Sequence, residues 1–92
     1  PPFLIWRNRL RMEVADIKLN DPVNLISLPR TFHARMHGNS YRDMVYDIFW
    51  RNTCGWNYST SFQEKRADVL ESLSYLRTRI IVAYYANDPY NW

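Results

Sequence analysis

The sequence predicts a small, mainly α-helical domain, a bundle of three to four helices, with a short β element near residues 9 to 19 as the one departure considered. Three observations carry this. Ser61-Phe62-Gln63-Glu64 has the form of a capping box, in which the serine hydroxyl accepts from the amide of residue 64 and the glutamate reaches back to the amide of residue 61. Behind it Phe62, Val69, Leu73, Leu76, Ile80 and Ala83 recur at spacings of three, four and seven, with Leu70 and Tyr84 beside them. That is a continuous apolar stripe on one helix face. A second set, Met44, Val45, Ile48 and Phe49, repeats the spacing, and the few Gly and Pro residues fall between these segments rather than inside them.

Taken in order, the first element is the ambiguous one. Residues 9 to 14 read Arg-Leu-Arg-Met-Glu-Val, a strict alternation that would put Leu10, Met12 and Val14 on the inner face of a strand. The alternation slips at Ala15-Asp16 and resumes with Ile17 and Leu19, as a bulge would produce. The same stretch places Phe3, Trp6, Leu10, Val14 and Ile17 at helical spacings in helix-favouring company without a glycine. Helix is preferred because no second convincing strand is present to pair with, and an α+β fold is the alternative.

Asp21 is placed to cap, with Pro22 at the first helical position, so Val23 to Leu28 reads as a short helix ended by Pro29. Residues 29 to 39 read as irregular. Ser40-Tyr41-Arg42-Asp43 resembles a second capping arrangement and predicts a helix from about Tyr41 to Arg51. Asn52 to Thr60, with Gly55 among Asn, Ser and Thr, is the loop to the last helix, which makes the two an antiparallel pair. Asn87-Asp88-Pro89 ends that helix, leaving Tyr90 and Trp92 to dock on the body or on a partner.

Ninety-two residues suit one domain, since a chain of this size buries roughly 60 to 65% of its unfolded surface. Four Trp, seven Tyr and four Phe are a high aromatic content, and large rings with few rotatable bonds suit interfaces. The single cysteine, Cys54, excludes an intramolecular disulfide and favours an intracellular, reducing setting, nuclear or cytoplasmic alike. The run from Ile80 to Ala86 is far shorter than the ~20 apolar residues of a membrane-spanning helix. A start at Pro1-Pro2-Phe3 fits a domain excised from a longer protein or a processed product.

Charge is uneven. Residues 1 to 42 carry seven basic and three acidic side chains, residues 43 to 92 five and six, so the net +3 originates in the first half. If residues 7 to 11 form a strand, Arg7, Arg9 and Arg11 lie on one side at intervals of about 6.5 to 7 Å, close to a phosphate repeat. With Lys18, Arg30 and Arg35 on phosphates, and Trp6, Tyr41, Trp50, Trp56 or Tyr58 as stacking platforms, this describes a nucleic-acid-binding surface. In a helix the three arginines spread over roughly 200° and the rail dissolves. No RNP-type, helix-turn-helix or Gly-rich phosphate signature accompanies them.

Catalytic signals are weaker still. His33 and His37 have the four-residue spacing of two zinc ligands, with Cys54 or Asp43 conceivable as further donors, but the cysteine spacing of a zinc finger is missing. Cys54 follows a helix C-terminus, where the dipole opposes a thiolate, and reads as a small half-buried side chain. Asp43 with Asp47, and Glu64 with Asp68 and Glu71, fall in first turns or on solvated helix faces. No catalytic residue, metal or cofactor is therefore expected. Asn57-Tyr58-Ser59 matches the glycosylation acceptor pattern, against which the lone cysteine argues. The C-terminal half of the last helix is apolar on a second side as well, through Tyr75, Ile81, Val82 and Tyr85. With Tyr90 and Trp92 these residues predict a contact surface, and the expected role is a non-enzymatic interaction or assembly module that meets a protein partner or forms a homodimer.

Overall fold

The computed structural model describes residues 11–12, 15–17, 26–90 and 92. It is mainly helical, with α1 over Arg30–Met36, α2 over Asn39–Thr53 and α3 over Phe62–Tyr85, and no strand occurs among the described residues. The bundle expected from the apolar spacings is therefore the observed architecture.

The ambiguous first element resolves as helix where it is described. Arg11 and Met12 are helical, the Ala15 amide donates to the Arg11 carbonyl at 3.1 Å, and the Ile17 amide reaches back to Met12 at 2.9 Å. Asp16 between them has φ 57°, the left-handed conformation that ends a helix and that Asp tolerates better than most side chains. The slip in the alternation is thus a helix C-terminus and not a bulge, which corrects the β element at these positions. A helix satisfies its own amides and carbonyls, whereas a strand here would have no partner strand among the described residues. Arg9, Leu10, Glu13, Val14, Lys18 and Leu19 lie outside the described residues.

Two further expectations change. Ile26 to Leu28 are not helical, and the rest of the helix anticipated before Pro29 lies outside the described residues. The segment read as irregular contains α1 instead. Phe32 and Met36, one turn apart, are its buried pair, and Pro29 begins it in an extended conformation, its carbonyl accepting from the His33 amide at 3.0 Å. α2 then starts at Asn39, not behind Ser40. Gly38 holds the N-cap position with extended backbone and no side-chain cap, so the Ser40 arrangement is not used.

The last helix follows its signals closely. Ser61 Oγ accepts from the Glu64 amide at 3.1 Å. At the other end Asn87 has φ 51°, its amide donates to the Tyr84 carbonyl, and the Asp88 amide donates to Ala83, which is a Schellman closure with Asn at the left-handed position. Val69, Leu73, Leu76, Ile80 and Ala83 are buried as expected. Phe62 is not, being 50% exposed, because Lys65 and Arg66 occupy its line through the next turn and burial begins only at Val69.

Two groups of buried side chains result. Met12, Ala15 and Ile17 join Met44, Ile48 and Phe49 of α2 and Val69, Leu73 and Leu76 of α3. Phe32 and Met36 of α1 meet Ile80 and Ala83, with Ile26 and Leu28 at their edge. Tyr41 and Trp92 pack against both groups and connect them. Polar ties reinforce the contacts: Asn52 Nδ2 donates to Ser72 Oγ at 2.8 Å across the α2–α3 seam, and Ser72 Oγ in turn donates to the Asp68 carbonyl. Arg66 donates to the carbonyls of Ala15 and Asp16, holding the N-terminal segment on α3.

Candidate interaction surface

Opposite its buried stripe, α3 shows a second one. Tyr75, Ile81, Val82 and Tyr85 are exposed, Val82 at 61% and Tyr85 at 82%, although each lies only one or two positions from a buried Leu, Ile or Ala. Helical periodicity produces this arrangement. Tyr75, Thr78, Val82 and Tyr85 advance by three, four and three, so they stack on one face roughly half a turn from Leu76, Ile80 and Ala83, with Ile81 on its flank. The helix is two-sided through its C-terminal half, with α1 and α2 covering only one side.

Tyr90 and Trp92, paired with that stripe in the sequence reading, have different fates. Tyr90 is 65% exposed, whereas Trp92 is tucked against the body. The Trp92 indole donates to the Pro89 carbonyl at 2.7 Å, its main-chain oxygen accepts from Arg79, and its ring meets Tyr41 edge-on at 5.3 Å. Trp92 also closes a groove of about 590 Å³ between α2 and α3. Met44 and Ile48 contribute apolar lining, Asp43, Asp47 and Arg51 line it from α2, and Tyr75 and Arg79 from α3. Asp47 and Arg51 are bridged to each other at 2.8 Å. Tyr75 therefore belongs both to the groove and to the exposed stripe, which makes the two continuous.

A row of rings runs from this groove to α1. Tyr41 lies beside His37 at 5.3 Å between centroids, and His37 beside His33 at 4.5 Å. The two imidazoles meet through their Nε2 atoms, 2.7 Å apart. Burial, then the neighbouring charges of His33 and Arg42, hold the His37 pKa below its ordinary value, and burial raises that of Tyr41. Cys54, at the far end of α2, is about 25 Å of helix away from this pair, and no group of three or more His, Cys, Asp or Glu suited to a metal is found among the described residues.

The remaining candidates scatter. Arg11 is helical and its guanidinium lies 5.4 Å from the Tyr46 ring centroid, while Arg7, Arg9 and Lys18 lie outside the described residues. Arg30 and Arg35 are both exposed on α1, five residues and so about 140° apart, and Arg35 reaches Asn87 at 3.5 Å. Of the proposed stacking platforms, Tyr41 and Trp56 are docked on the core, the latter donating to Asp68 at 2.9 Å, whereas Trp50 and Tyr58 are exposed. Cys54 is exposed rather than half-buried, as the capping residue after the last turn of α2. Asn57 is bound into its own turn, its side-chain oxygen accepting from the Ser59 amide at 2.7 Å. No helix among the described residues is long and apolar enough to cross a membrane. Besides the buried pair of α1, apolar spacing missed two buried, hydrogen-bonded polar residues, Thr53 and Ser72; the signal for Ser72 was a place between Val69 and Leu76 on the same face. No family model, curated protein or solved structure matches the chain.

Proposed function

We propose that the protein is a non-enzymatic interaction module that buries the outer face of α3, with Tyr75, Ile81, Val82 and Tyr85 as its centre and Tyr90 at its margin, against a protein partner or a second copy. The observation that supports it is the exposure of four large apolar side chains, Tyr75, Val82 and Tyr85 on one face of α3 and Ile81 on its flank, next to a groove that shares Tyr75 with them. Large apolar side chains gathered on one face are the kind of surface that partners cover, and aromatic anchors carry most of the energy in such contacts. Trp92 contributes as a wall of the groove, not as a detached anchor.

Sedimentation equilibrium at two salt concentrations, with and without a labelled single-stranded oligonucleotide, tests the second-copy form. The expected result is a dimer that tolerates salt, ignores the oligonucleotide and dissociates in Tyr85→Ala. For a foreign partner, peptide-display selection against the wild type should enrich binders that Val82→Ser/Tyr85→Ser loses. A monomer that instead holds the oligonucleotide and releases it as salt rises would move the function to the arginines, because counterion release makes phosphate contacts salt-sensitive. Binders indifferent to the double variant would remove α3 from the interface.

A further inference from the structure

We propose that His33 and His37 form a bidentate site for a borderline divalent metal ion, Cu²⁺ or Ni²⁺ before Zn²⁺, with water in the other coordination positions. The spacing alone is weak evidence; the contact is stronger. α1 carries His33 in its last turn and His37 at its C-cap, and the two Nε2 atoms converge to 2.7 Å. With both rings neutral, one Nε2–H donates to the lone pair of the other. Moving the donor's proton to its own Nδ1 leaves a lone pair on both Nε2 atoms with no net loss of a proton, and a rotation of the two exposed rings off the line of that hydrogen bond turns both lone pairs toward one ion.

The geometry selects among metals. Two imidazole nitrogens bound to one ion at about 2.0 to 2.1 Å lie about 2.9 Å apart at a right angle and about 3.4 Å apart at the tetrahedral angle. The observed 2.7 Å is a few tenths from the first value and further from the second. Right-angle coordination belongs to square-planar and octahedral ions, and imidazole is a suitable ligand for copper and nickel, with copper the tighter by the usual order of divalent ions. Both histidines are exposed, so ion and water can reach them. Arg42, which acts on His37 electrostatically, repels a cation and limits affinity. No third protein donor is found among the described residues, which makes this an open site and not a structural zinc centre.

The probe is Ni²⁺ alone, titrated calorimetrically at pH 7.5, with Cu²⁺ electron paramagnetic resonance as a second readout. One ion should bind per pair, and the spectrum should report two equatorial nitrogens. His33→Ala and His37→Ala should each weaken binding roughly ten- to a hundredfold, because each converts a chelate into a single contact. Circular dichroism checks that the variants keep their helices; should His37→Ala lose them, His37→Gln at the same position repeats the test. Absence of Ni²⁺ binding, binding unchanged in either variant, or a single-nitrogen spectrum would overturn the site.

Discussion

The two faces of α3 both carry large apolar side chains and meet opposite environments. Leu73, Leu76, Ile80 and Ala83 are buried, while Tyr75, Ile81, Val82 and Tyr85 on the same turns are open to water. Hydrophobicity alone does not distinguish the sets. What separates them is supply: α1, α2 and the segment around Met12 to Ile17 provide enough side chains to cover one face of a 24-residue helix and not two. The first face accounts for the fold, and the second is left for a contact the fold does not need.

The sharpest way to break this contrast is to truncate the covered side. Leu76→Ala should cost about 2 to 5 kcal/mol, read from urea unfolding, because the cavity opens where α2 and α3 meet. Trp92→Ala should cost about 1 to 3 kcal/mol, less than for a fully enclosed aromatic, since Trp92 is partly buried but joins both groups of core residues. Ser61→Ala, which removes the cap at the start of both faces, should cost about 1 kcal/mol and leave the groove intact.

A smaller effect should appear with pH. His37 has a folded pKa below its ordinary value, so the folded state prefers the neutral ring. Its contribution is present above about pH 6.5 and is lost as pH falls through the lower folded value. His37→Gln should therefore flatten stability between about pH 7 and pH 5 relative to wild type, with little change at pH 8. Tyr41 runs the other way: its raised pKa keeps a contribution below pH 10 that is lost on further alkalisation.

Much of this helical framework was legible in sequence because its signals are local. The Ser61 cap, the Asn87 stop and the apolar spacing of Val69 to Ala83 each act within a few residues. α1 was not legible, since seven residues with two buried side chains give periodicity nothing to repeat, and its start rests on the conformation of Pro29. The Ser40 pattern failed for a related reason: α2 begins before it, at Asn39, with Gly38 as an N-cap that offers no side chain to recognise. Around Ala15, periods of two and of 3.6 fitted the same letters, and the backbone bonds from Ala15 to Arg11 and from Ile17 to Met12, with the left-handed Asp16, decide between them. The outer stripe of α3 was visible as a second apolar side, whereas the convergence of His33 with His37, and the docking of Trp92 on Tyr41, depend on backbone geometry that spacing does not specify.

The most direct test of the two-face account is the urea midpoint and association state of Val82→Ser/Tyr85→Ser, measured beside Leu76→Ala. Serine has nearly the helix propensity of valine and tyrosine, so the exchange isolates the loss of apolar surface. The account predicts a double variant within about 0.5 kcal/mol per site of wild type, with association abolished. A loss of several kcal/mol like that of Leu76→Ala, with association unchanged, would show that the outer face belongs to the fold and contradict it.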